Sequence, residues 1–471
     1  MKNLGVVITD GVGYRNFILS DFIEEAKDKY DKVILFSCLP KEVYNSLDLD
    51  CEIIELAVYE ENFLGWFFKK AKEVTHLQLH AKGNFGIADN LNIARPSKRT
   101  PRSFATRLIY LFSSKIHSEK WILRYNRWQQ KTFRSNPITK QYIQLLKDNS
   151  ISMLVFTHQR PPFIAPLIFA AEKLKINTSV FIFSWDNLAS KGRMAGNFDY
   201  FLVWSDLMKQ ELLYFYQSIK ESQISIVGTP QFEPYILKRY GYDITTFQNK
   251  FKLDKSKKTI LFTCNDSSSK NDPIYLEILA KFISDKKLAS DVNLIVRTSP
   301  AEEPMRFKTI VDTYPFIIWN YPDWKVKREG HQEPWTQRVP SIEDLNDLKS
   351  LLCYCDLIIN VLSTITLDSF IFDKPVINPV FGNEQNGMYD DQRFLNYKHL
   401  SNLVASESSH IVKNEAAFLD AINIVLTSVD TKGDARKEFL KLQIGKPLEG
   451  TSKRIAEVLF KNTVSSDNVI K

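Results

Sequence analysis

The sequence predicts an α/β protein of two domains, each with a parallel β-sheet covered by helices. The chain has 471 residues, which is too many for one ordinary hydrophobic core. Apolar runs of strand length alternate with segments of helical pattern, as in parallel α/β folds. An apolar content of 44% with 25% charged residues is typical of globular proteins. We expect an N-terminal domain over residues 1–240 and a C-terminal domain over residues 241–471.

The first domain opens with a strand, a glycine-bearing turn and a helix. Residues 4–9 form a short apolar run that ends at Asp10, and a second strand is predicted over 33–37. In doubly wound folds, ligands gather beyond the carboxyl ends of the strands. Gly11 and Gly13 alone do not make a dinucleotide-binding fingerprint. Asp10 is therefore predicted either to cap the turn, which is our first choice, or to act as a general base.

Polar residues also follow the later predicted strands of this domain. The strands are predicted over 152–157, 178–184, 200–204 and 224–227, and the polar residues are His158, Arg160, Asp186, Asn187, Lys191 and Thr229. Parallel strands end at the same edge of a sheet, so we expect these side chains to converge on one cleft. Each also has a plainer interpretation: His158 as a buried imidazole with satisfied hydrogen bonds, Asp186 as a turn or cap residue, and Lys191 as a surface residue.

The C-terminal domain is predicted to hold anionic groups. A strand over 258–264 leads into a polar loop over 265–270, which could bind phosphate or simply connect two elements. A strand over 293–296 is followed by Arg297 and Ser299. A guanidinium at a strand end is suited to a phosphate or carboxylate, because it donates two parallel hydrogen bonds.

A strand–helix–strand unit over residues 356–379 is the organising stretch of this domain. An apolar run over 357–362 is followed by Ser363 and Thr364, and either hydroxyl could cap a helix that begins there. Asp368 lies one turn further along the same helix face. A helix start suits a phosphate, and Asp368 could accept hydrogen bonds from sugar hydroxyls. The alternative is an ordinary capped helix between two strands.

Positive charge is concentrated in one segment. The chain has a net charge of +7, yet residues 90–147 contain thirteen Lys and Arg and one acidic residue, Glu119. The segment is also rich in aromatic residues. This combination suits an anionic membrane surface or a polyanionic acceptor, and it would also suit nucleic acid. The alternative is a solvated helical pair whose aromatics pack inward, since Trp121, Tyr125 and Trp128 have core-facing spacing.

Cysteine and histidine usage predicts a reduced, cytosolic protein without a resident metal. The five cysteines are scattered, and the seven histidines form no metal-spaced cluster. A divalent ion that arrives with the substrate stays compatible with this prediction. No apolar run reaches the roughly 18 residues that span a bilayer. The N-terminus lacks the features of a signal peptide.

Residues 152–383 resemble the GT-B glycosyltransferases, which have two Rossmann-like domains, and particularly those of bacterial surface polysaccharide synthesis and the related CDP-glycerol glycerophosphotransferases. The motifs that carry the resemblance are Ser363-Thr364 with Asp368, Lys374-Pro375-Val376, Arg297-Thr298-Ser299-Pro300, and the segments 184–192 and 227–234. Ser299 stands where this family usually has histidine, and Asp368 stands where glutamate is commoner. Residues 60–147 have no counterpart in the family.

The resemblance implies two Rossmann-like domains facing each other across a cleft, with a basic helical insertion at about 60–147 in the first domain. It implies a metal-independent glycosyltransferase that moves a sugar from a nucleotide-activated donor to a hydroxyl of a glycan or lipid-linked acceptor, in the synthesis of a surface polysaccharide such as capsule or lipopolysaccharide. The nucleotide sugar is a substrate, and no cofactor is expected. The location is expected to be cytoplasmic, with peripheral contact at the inner face of the cell membrane through residues 90–147 and no nucleic-acid partner.

The resemblance also assigns roles to individual residues. The donor-binding residues are predicted to be Thr229, Arg297, Ser299, Ser363, Thr364 and Asp368. The candidate bases, in order of preference, are Asp186, His158 and Asp10. The residues expected to hold or orient the acceptor are Arg160, Asn187 and Lys191. Three alternatives remain: a polyol-phosphate transferase, against which Ser299 argues, a nucleotide-sugar epimerase, and a non-catalytic protein that binds polyanions or membranes.

Overall fold

The computed structural model describes residues 2–266 and 269–467 and has an α/β fold with two large parallel sheets. The strands are β1 Asn3–Ile8, β2 Lys32–Ser37, β3 Glu52–Glu55, β4 Ile151–Phe156, β5 Asn177–Phe181, β6 Tyr200–Val203, β7 Ile224–Ile226, β8 Lys258–Thr263, β9 Val292–Arg297, β10 Ile318–Asn320, β11 Trp324–Val326, β12 Arg338–Pro340, β13 Leu357–Ile359, β14 Val376–Pro379 and β15 His410–Val412. The α/β prediction is confirmed.

The helices cover the sheets and form one additional block after β3. They are α1 Gly11–Phe17, α2 Phe22–Lys27, α3 Phe63–His80, α4 Phe85–Ile93, α5 Pro101–Ser113, α6 Glu119–Phe133, α7 Pro137–Asp148, α8 Ala165–Leu174, α9 Asn187–Ser190, α10 Asp206–Phe215, α11 Glu233–Ile236, α12 Ile244–Lys250, α13 Asp272–Ser284, α14 Lys308–Thr313, α15 Ile342–Tyr354, α16 Ile365–Ile371, α17 Lys398–Ser406, α18 Glu415–Thr427, α19 Gly433–Ile444 and α20 Thr451–Asp467. Among the described helices, none is both long and apolar enough to cross a membrane.

The chain divides into two compact units. The first contains the chain up to Glu233, the segment Val326–Val339 and the chain from Gln443 onward. The second contains Pro234–Lys325 and Pro340–Leu442. The segment Val326–Val339 is thus an excursion from the second unit that packs on the first, and α20 packs on α2 and β4 of the first unit.

The first unit is built on a seven-stranded sheet in the order β3-β2-β1-β4-β5-β6-β7. All of its strand pairs are parallel. The chain leaves β1 towards β2 and β3 and returns on the other side of β1 as β4. The strand order therefore reverses between β1 and β4, which is where doubly wound sheets bind their ligands.

The second unit is built on a six-stranded sheet in the order β10-β9-β8-β13-β14-β15, again with all pairs parallel. Its order reverses between β8 and β13. The predicted strand over 357–362 ends earlier than expected, at Ile359, and Leu362 adopts a positive φ of 46° in the loop that follows. The reason is the Asn360 side chain, whose Oδ1 accepts a hydrogen bond from the Ser363 N–H at 2.9 Å. This contact turns the chain into the start of α16.

The helices α3 to α7 form the insertion expected at about 60–147. In α6 the buried stripe is Ile122, Asn126, Gln129 and Phe133, so the stripe of Trp121, Tyr125 and Trp128 lies to one side and is only half-buried.

Lys72 of α3 is 2% exposed, and its Nζ donates to Asn126 Oδ1 at 2.9 Å and to the Ala195 carbonyl at 2.8 Å. Burial lowers the pKa of Lys72 to about 7.

A buried ion pair joins β9 to α15 in the second unit. Arg297 is 5% exposed, and one of its terminal nitrogens donates to both carboxylate oxygens of Asp344 at 2.9 Å. The other donates to Asn320 Oδ1. Asp344 also accepts from Trp324 Nε1 at 2.8 Å and from the Asp323 N–H at 3.0 Å. Both charges therefore have several partners, as buried charges require.

We expect Lys72 to make stability depend on pH. A lysine in the unfolded chain has a pKa near 10.4, so between about pH 7 and pH 10 the unfolded state binds a proton that the folded state does not. The free energy of unfolding should therefore rise with pH, by up to about 1.4 kcal/mol per pH unit from this group. Denaturant unfolding of the wild type and of Lys72→Gln between pH 7 and pH 10 should show a flatter dependence in the variant. Lys120→Gln, at an exposed position, is the control; parallel curves for wild type and Lys72→Gln would contradict the prediction.

We expect Arg297 to contribute mainly to stability. Arg297→Met should lower the free energy of unfolding by about 3–5 kcal/mol, because it leaves the Asp344 carboxylate buried without its cation. The double variant Arg297→Met/Asp344→Leu should lose less than the sum of the single variants. Denaturant unfolding of all four proteins measures this coupling, and additive losses would show that the pair does not act as a unit.

Candidate functional site

Asp10 and His158 lie side by side where the strand order of the first sheet reverses. Asp10 follows β1 and His158 follows β4, and these two strands are neighbours in the sheet. The distance from His158 Nδ1 to Asp10 Oδ2 is 2.9 Å. The sequence predicted both residues at strand ends; the fold brings them into direct contact although 148 positions separate them.

Asp10 is fully buried, and every hydrogen bond to its carboxylate favours the ionised form. Its Oδ1 accepts from the Gly13 N–H at 2.8 Å, which makes Asp10 the N-cap of α1, and its Oδ2 accepts from the Thr9 hydroxyl at 2.8 Å. Burial by itself raises the pKa of Asp10, but the hydrogen bond and charge of His158 and the other donors outweigh it, so the pKa falls below its ordinary value. The predicted cap is therefore present, and the same carboxylate also holds His158.

His158 is held as a neutral imidazole with a fixed orientation. Because an ionised carboxylate can only accept, His158 Nδ1 must donate to Asp10, which leaves the lone pair on Nε2. Burial lowers the pKa of His158 by more than Asp10 raises it. The ring stacks on Phe183 with a centroid distance of 3.9 Å and an interplanar angle of 14°. This tautomer, tied to a buried carboxylate, is the arrangement of a general base.

Two glycines allow the close packing around this pair. A Cβ at Gly13 would lie 2.6 Å from Thr157 Oγ1, the side chain beside His158. A Cβ at Gly11 would lie 1.7 Å from the Arg338 carbonyl oxygen, which belongs to the excursion segment. The Gly11-Val12-Gly13 sequence is thus explained by steric contact within the first unit.

The excursion segment 326–339 packs over this edge of the first sheet. The Trp335 ring lies 6.1 Å from the His158 ring, and the His331 ring lies 5.1 Å from that of Phe163. Arg328 anchors the segment by donating to the Cys38 carbonyl at 3.0 Å. The segment places an aromatic wall beside His158, and Trp335 itself is 42% exposed.

The predicted residues after β5 form a separate hydrogen-bonded chain. Lys191 Nζ lies 3.4 Å from Asp186 Oδ2, and Asn187 Nδ2 donates to Asp186 Oδ1 at 3.0 Å. Asn187 Oδ1 accepts from Gln159 Nε2 at 2.8 Å, so Gln159 links this chain to the loop that carries His158. Arg160 is half-buried, and its guanidinium has no hydrogen bond or ion pair to any residue that the structure describes.

In the second unit, the loops after β8 and β13 meet where the strand order reverses. Asn265 Nδ2 donates to the Val361 carbonyl at 2.7 Å and joins the two loops. Arg306 holds the first loop by donating to the carbonyls of Asn265 at 2.5 Å and Ser269 at 2.6 Å. Ser267 and Ser268, part of the loop predicted to bind phosphate, lie outside the described residues.

Ser363 and Thr364 lie in the second of these loops, immediately before α16. Thr364 occupies the N-cap position, but no side-chain cap hydrogen bond is formed there, so the expected hydroxyl cap is absent. Asn360 Oδ1 also accepts from the Thr366 hydroxyl at 3.0 Å, which ties the loop after β13 to the first turn of α16. Both Ser363 and Thr364 are half-buried.

Four other residues predicted to bind the donor are occupied by protein partners. Arg297 is paired with Asp344, as described above. Asp368 is 3% exposed and accepts from the Tyr235 hydroxyl at 2.5 Å. Ser299 Oγ accepts from the Ala301 N–H at 3.2 Å. Thr229 belongs to the first unit, is fully buried and caps a short helical turn through the Gln231 N–H.

Sequence reasoning placed Asn265 in the polar loop after β8 but did not identify Phe183, Trp335, Gln159 or Asn360 as parts of these two regions. Phe183 and Trp335 reach His158 only through tertiary packing, so no local pattern points to them. Asn360 follows strand β13 directly, and its position at a strand end was the signal in the sequence that could have identified it. Among the described residues, no group of three or more His, Cys, Asp or Glu side chains is arranged to hold a metal ion.

No protein-family model matches the chain, and no curated protein matches it in sequence. Solved structures do share its fold. A UDP-GlcNAc 2-epimerase from Methanocaldococcus jannaschii matches with a TM-score of 0.55 and 13% identity, over 98% of this chain and 100% of that one. A glycosyltransferase from Rickettsia africae ESF-5 matches with a TM-score of 0.53 and 12% identity, over 98% of each chain. A variant of the wall teichoic acid polymerase TagF matches with a TM-score of 0.50 and 11% identity, over 99% of this chain and 90% of that one.

At these identities the likeness establishes the fold alone. It confirms the predicted GT-B-like architecture of two parallel α/β sheets, which the epimerase and the glycosyltransferase share. The narrower resemblance to the CDP-glycerol glycerophosphotransferases stays a prediction.

Proposed function

We propose that this protein is a glycosyltransferase that moves a sugar from a nucleotide-activated donor to a hydroxyl acceptor, with His158 as its general base. The substrate class rests on the fold shared with enzymes that are named for UDP-GlcNAc and for glycosyl transfer. The chemistry rests on one observation, the buried hydrogen bond between Asp10 and His158 at the point where the strand order of the first sheet reverses.

The geometry of the pair fits a transfer that inverts the anomeric centre. The acceptor oxygen forms a bond to the anomeric carbon while the bond from that carbon to the donor phosphate breaks, and the acceptor proton moves to His158 Nε2. The Asp10 carboxylate stabilises the imidazolium that forms and keeps the ring in the correct tautomer. Because the pKa of His158 is lowered, the base is unprotonated and ready at neutral pH.

His158 ranks ahead of Asp186 as the base in this proposal. Asp186 lies 3.4 Å from the Lys191 ammonium and accepts from Asn187, so both of its carboxylate oxygens already bind protein groups. The Asp10 carboxylate is fully buried and hydrogen-bonded to protein groups, so its proposed role is to position His158. Arg160, half-buried beside His158 in sequence, is the cation that we assign to an anionic group of the substrate.

For the donor we propose Ser363 and Thr364, in the loop after β13. They lie where the second sheet reverses its strand order, and hydroxyls and backbone N–H groups are suited to phosphate oxygens. We do not assign Arg297, Ser299 or Asp368 to the donor, because their side chains are buried, whereas those of Ser363 and Thr364 are half-buried. A glycan or lipid-linked acceptor in surface polysaccharide synthesis is proposed on the sequence resemblance.

A nucleotide-sugar epimerase is the second candidate. It is favoured by the match to the Methanocaldococcus jannaschii UDP-GlcNAc 2-epimerase, which extends over the whole length of both chains. A histidine held by a buried carboxylate would also serve proton transfer at a sugar carbon. The two functions differ in one respect: an epimerase converts a nucleotide sugar without any acceptor, and a transferase releases the nucleotide.

We expect the protein to be stabilised by one class of nucleotide. Thermal unfolding should be measured with UDP, GDP, CDP, CMP and dTDP and with their common sugar conjugates. A ligand at 100 times its dissociation constant stabilises the folded state by about 2.7 kcal/mol, which is a readily measured shift. Product analysis with the responding nucleotide sugar alone then separates epimerisation from nucleotide release. No shift with any of these ligands would contradict the proposed substrate class.

The double variant Ser363→Ala/Thr364→Val should weaken binding of that nucleotide by roughly 5-fold to 150-fold, since about 0.5–1.5 kcal/mol is lost for each hydroxyl. The matched control is Ser401→Ala/Thr427→Val, in which both hydroxyls donate only to carbonyls of their own helices in the same unit. Titration calorimetry compares the two; equal loss in both would remove the loop after β13 from the donor site.

We expect His158→Gln and Asp10→Asn to lower turnover by at least about 100-fold, because each removes part of the base. Turnover is measured as nucleotide release to water from the sugar conjugate found above. In the wild type, kcat/KM should be constant at neutral pH and fall as the pH drops through the pKa of His158, below 6.5. Asp186→Asn is the control and should stay within about threefold of wild type. Wild-type turnover in folded His158→Gln would exclude His158 as the base.

A further inference from the structure

Helix α5 carries large apolar side chains on both of its faces. Its inner face is buried and includes Ala105 and Ile109. On the opposite side, four apolar residues at i, i+4, i+7 and i+8 form what we call the α5 outer face: Phe104 (63% exposed), Leu108 (38%), Leu111 (61%) and Phe112 (59%). A helix that is apolar on both faces is normally buried, so we expect a binding partner to cover the outer face.

The apolar surface continues beyond α5 onto neighbouring elements. Phe63 and Leu64, at the start of α3, are 49% and 57% exposed. The Phe63 ring lies 5.5 Å from the Trp66 ring, and the Arg102 guanidinium of α5 lies over that same Trp66 ring at 5.2 Å. The start of α3 and the start of α5 are therefore adjacent, and together they extend the apolar surface.

The α5 segment itself is positively charged, and Glu61 near the start of α3 lies close enough to interact with Arg102. Residues 90–118 contain no acidic residue and six basic ones, all of which are exposed: Arg95, Lys98, Arg99, Arg102, Arg107 and Lys115. The single acid of the wider segment, Glu119, is paired with Arg193 at 2.5 Å and 2.9 Å, so it does not neutralise them. An occupant of the α5 outer face must therefore accept aromatic and aliphatic side chains and must itself be negative.

We propose that the α5 outer face docks on an anionic lipid bilayer, with Phe104, Leu111 and Phe112 at the boundary between headgroups and acyl chains. A bilayer surface of this kind binds apolar side chains and cations together. A symmetric contact with a second copy would bring the two sets of six cations together, and a nucleic acid would leave the apolar stripe in water. The sequence suggested membrane contact for residues 90–147 as a whole. The present proposal limits this contact to the α5 outer face.

Vesicle flotation of the full-length protein tests the proposal. Vesicles of neutral phosphatidylcholine are compared with vesicles that contain 30 mol% phosphatidylglycerol, in the absence of nucleotide, so the result does not depend on the proposed activity. The wild type should bind the anionic vesicles at least tenfold more strongly than the neutral ones. Phe104→Ser/Leu111→Ser/Phe112→Ser should lose at least tenfold of that binding, and Arg99→Gln/Arg102→Gln/Arg107→Gln should lose the preference for anionic lipid.

The matched control is Met305→Ser/Ile424→Ser/Val429→Ser. It removes three apolar side chains that are 71%, 53% and 89% exposed on other elements, and it should bind like the wild type. In a second measurement, a tryptophan introduced by Phe112→Trp should be quenched by lipids brominated on the acyl chain. Absence of binding to anionic vesicles, equal binding by the Phe104, Leu111 and Phe112 triple variant, or a wild-type dimer that this variant abolishes would each overturn the proposal.

Discussion

The hydrogen bond between Asp10 and His158 depends on the topology of the first sheet, and much of the candidate site depends on that bond. The two residues can meet because β4 returns to the free side of β1 after the chain has made β2, β3 and seven helices. One carboxylate then caps α1 and fixes the tautomer of the imidazole. Gly13 and Gly11 leave room for Thr157 and for the backbone at Arg338, which are packed against this turn. The position of the proposed base therefore depends on backbone packing as well as on side-chain chemistry.

Several charged side chains are buried and bind protein partners. Arg297 is tied to Asp344 and Asn320, and Arg436 binds Asp373 and Asp430. Lys72 is buried among neutral acceptors and has its pKa lowered to about 7. A buried charged group must either bind partners or become neutral, so the polar atoms of each of these side chains bind other protein groups. At the surface, residues 90–118 carry six exposed cations and no acidic residue.

The helical block after β3 has apolar residues of two kinds: some are buried between its helices, and others are exposed. Its inner positions, such as Ile109 and Ile122, pack the helices on one another, while the aromatic residues of α6 lie half-buried in contact with each other. The outer positions of α5 contribute nothing to this packing, because Phe104, Leu111 and Phe112 point to solvent. Helical periodicity in the sequence shows that a face is apolar; only the positions of the neighbouring helices determine which apolar face is covered.

The sequence alone determined most of the strands and the polar character of their ends, although β3, β11, β12 and β15 were not predicted. Apolar runs of five or six residues are local signals, so β1, β4, β8 and β9 were predicted within one or two residues, and Asp10 was predicted as a cap. The early end of β13 was not predicted, because it follows from hydrogen bonds to the Asn360 side chain. Tertiary structure decided that His158 meets Asp10, that Trp335 lies beside it and that Arg297 and Asp368 are occupied. These contacts join residues that are far apart in the chain, and local periodicity carries no information about such pairs.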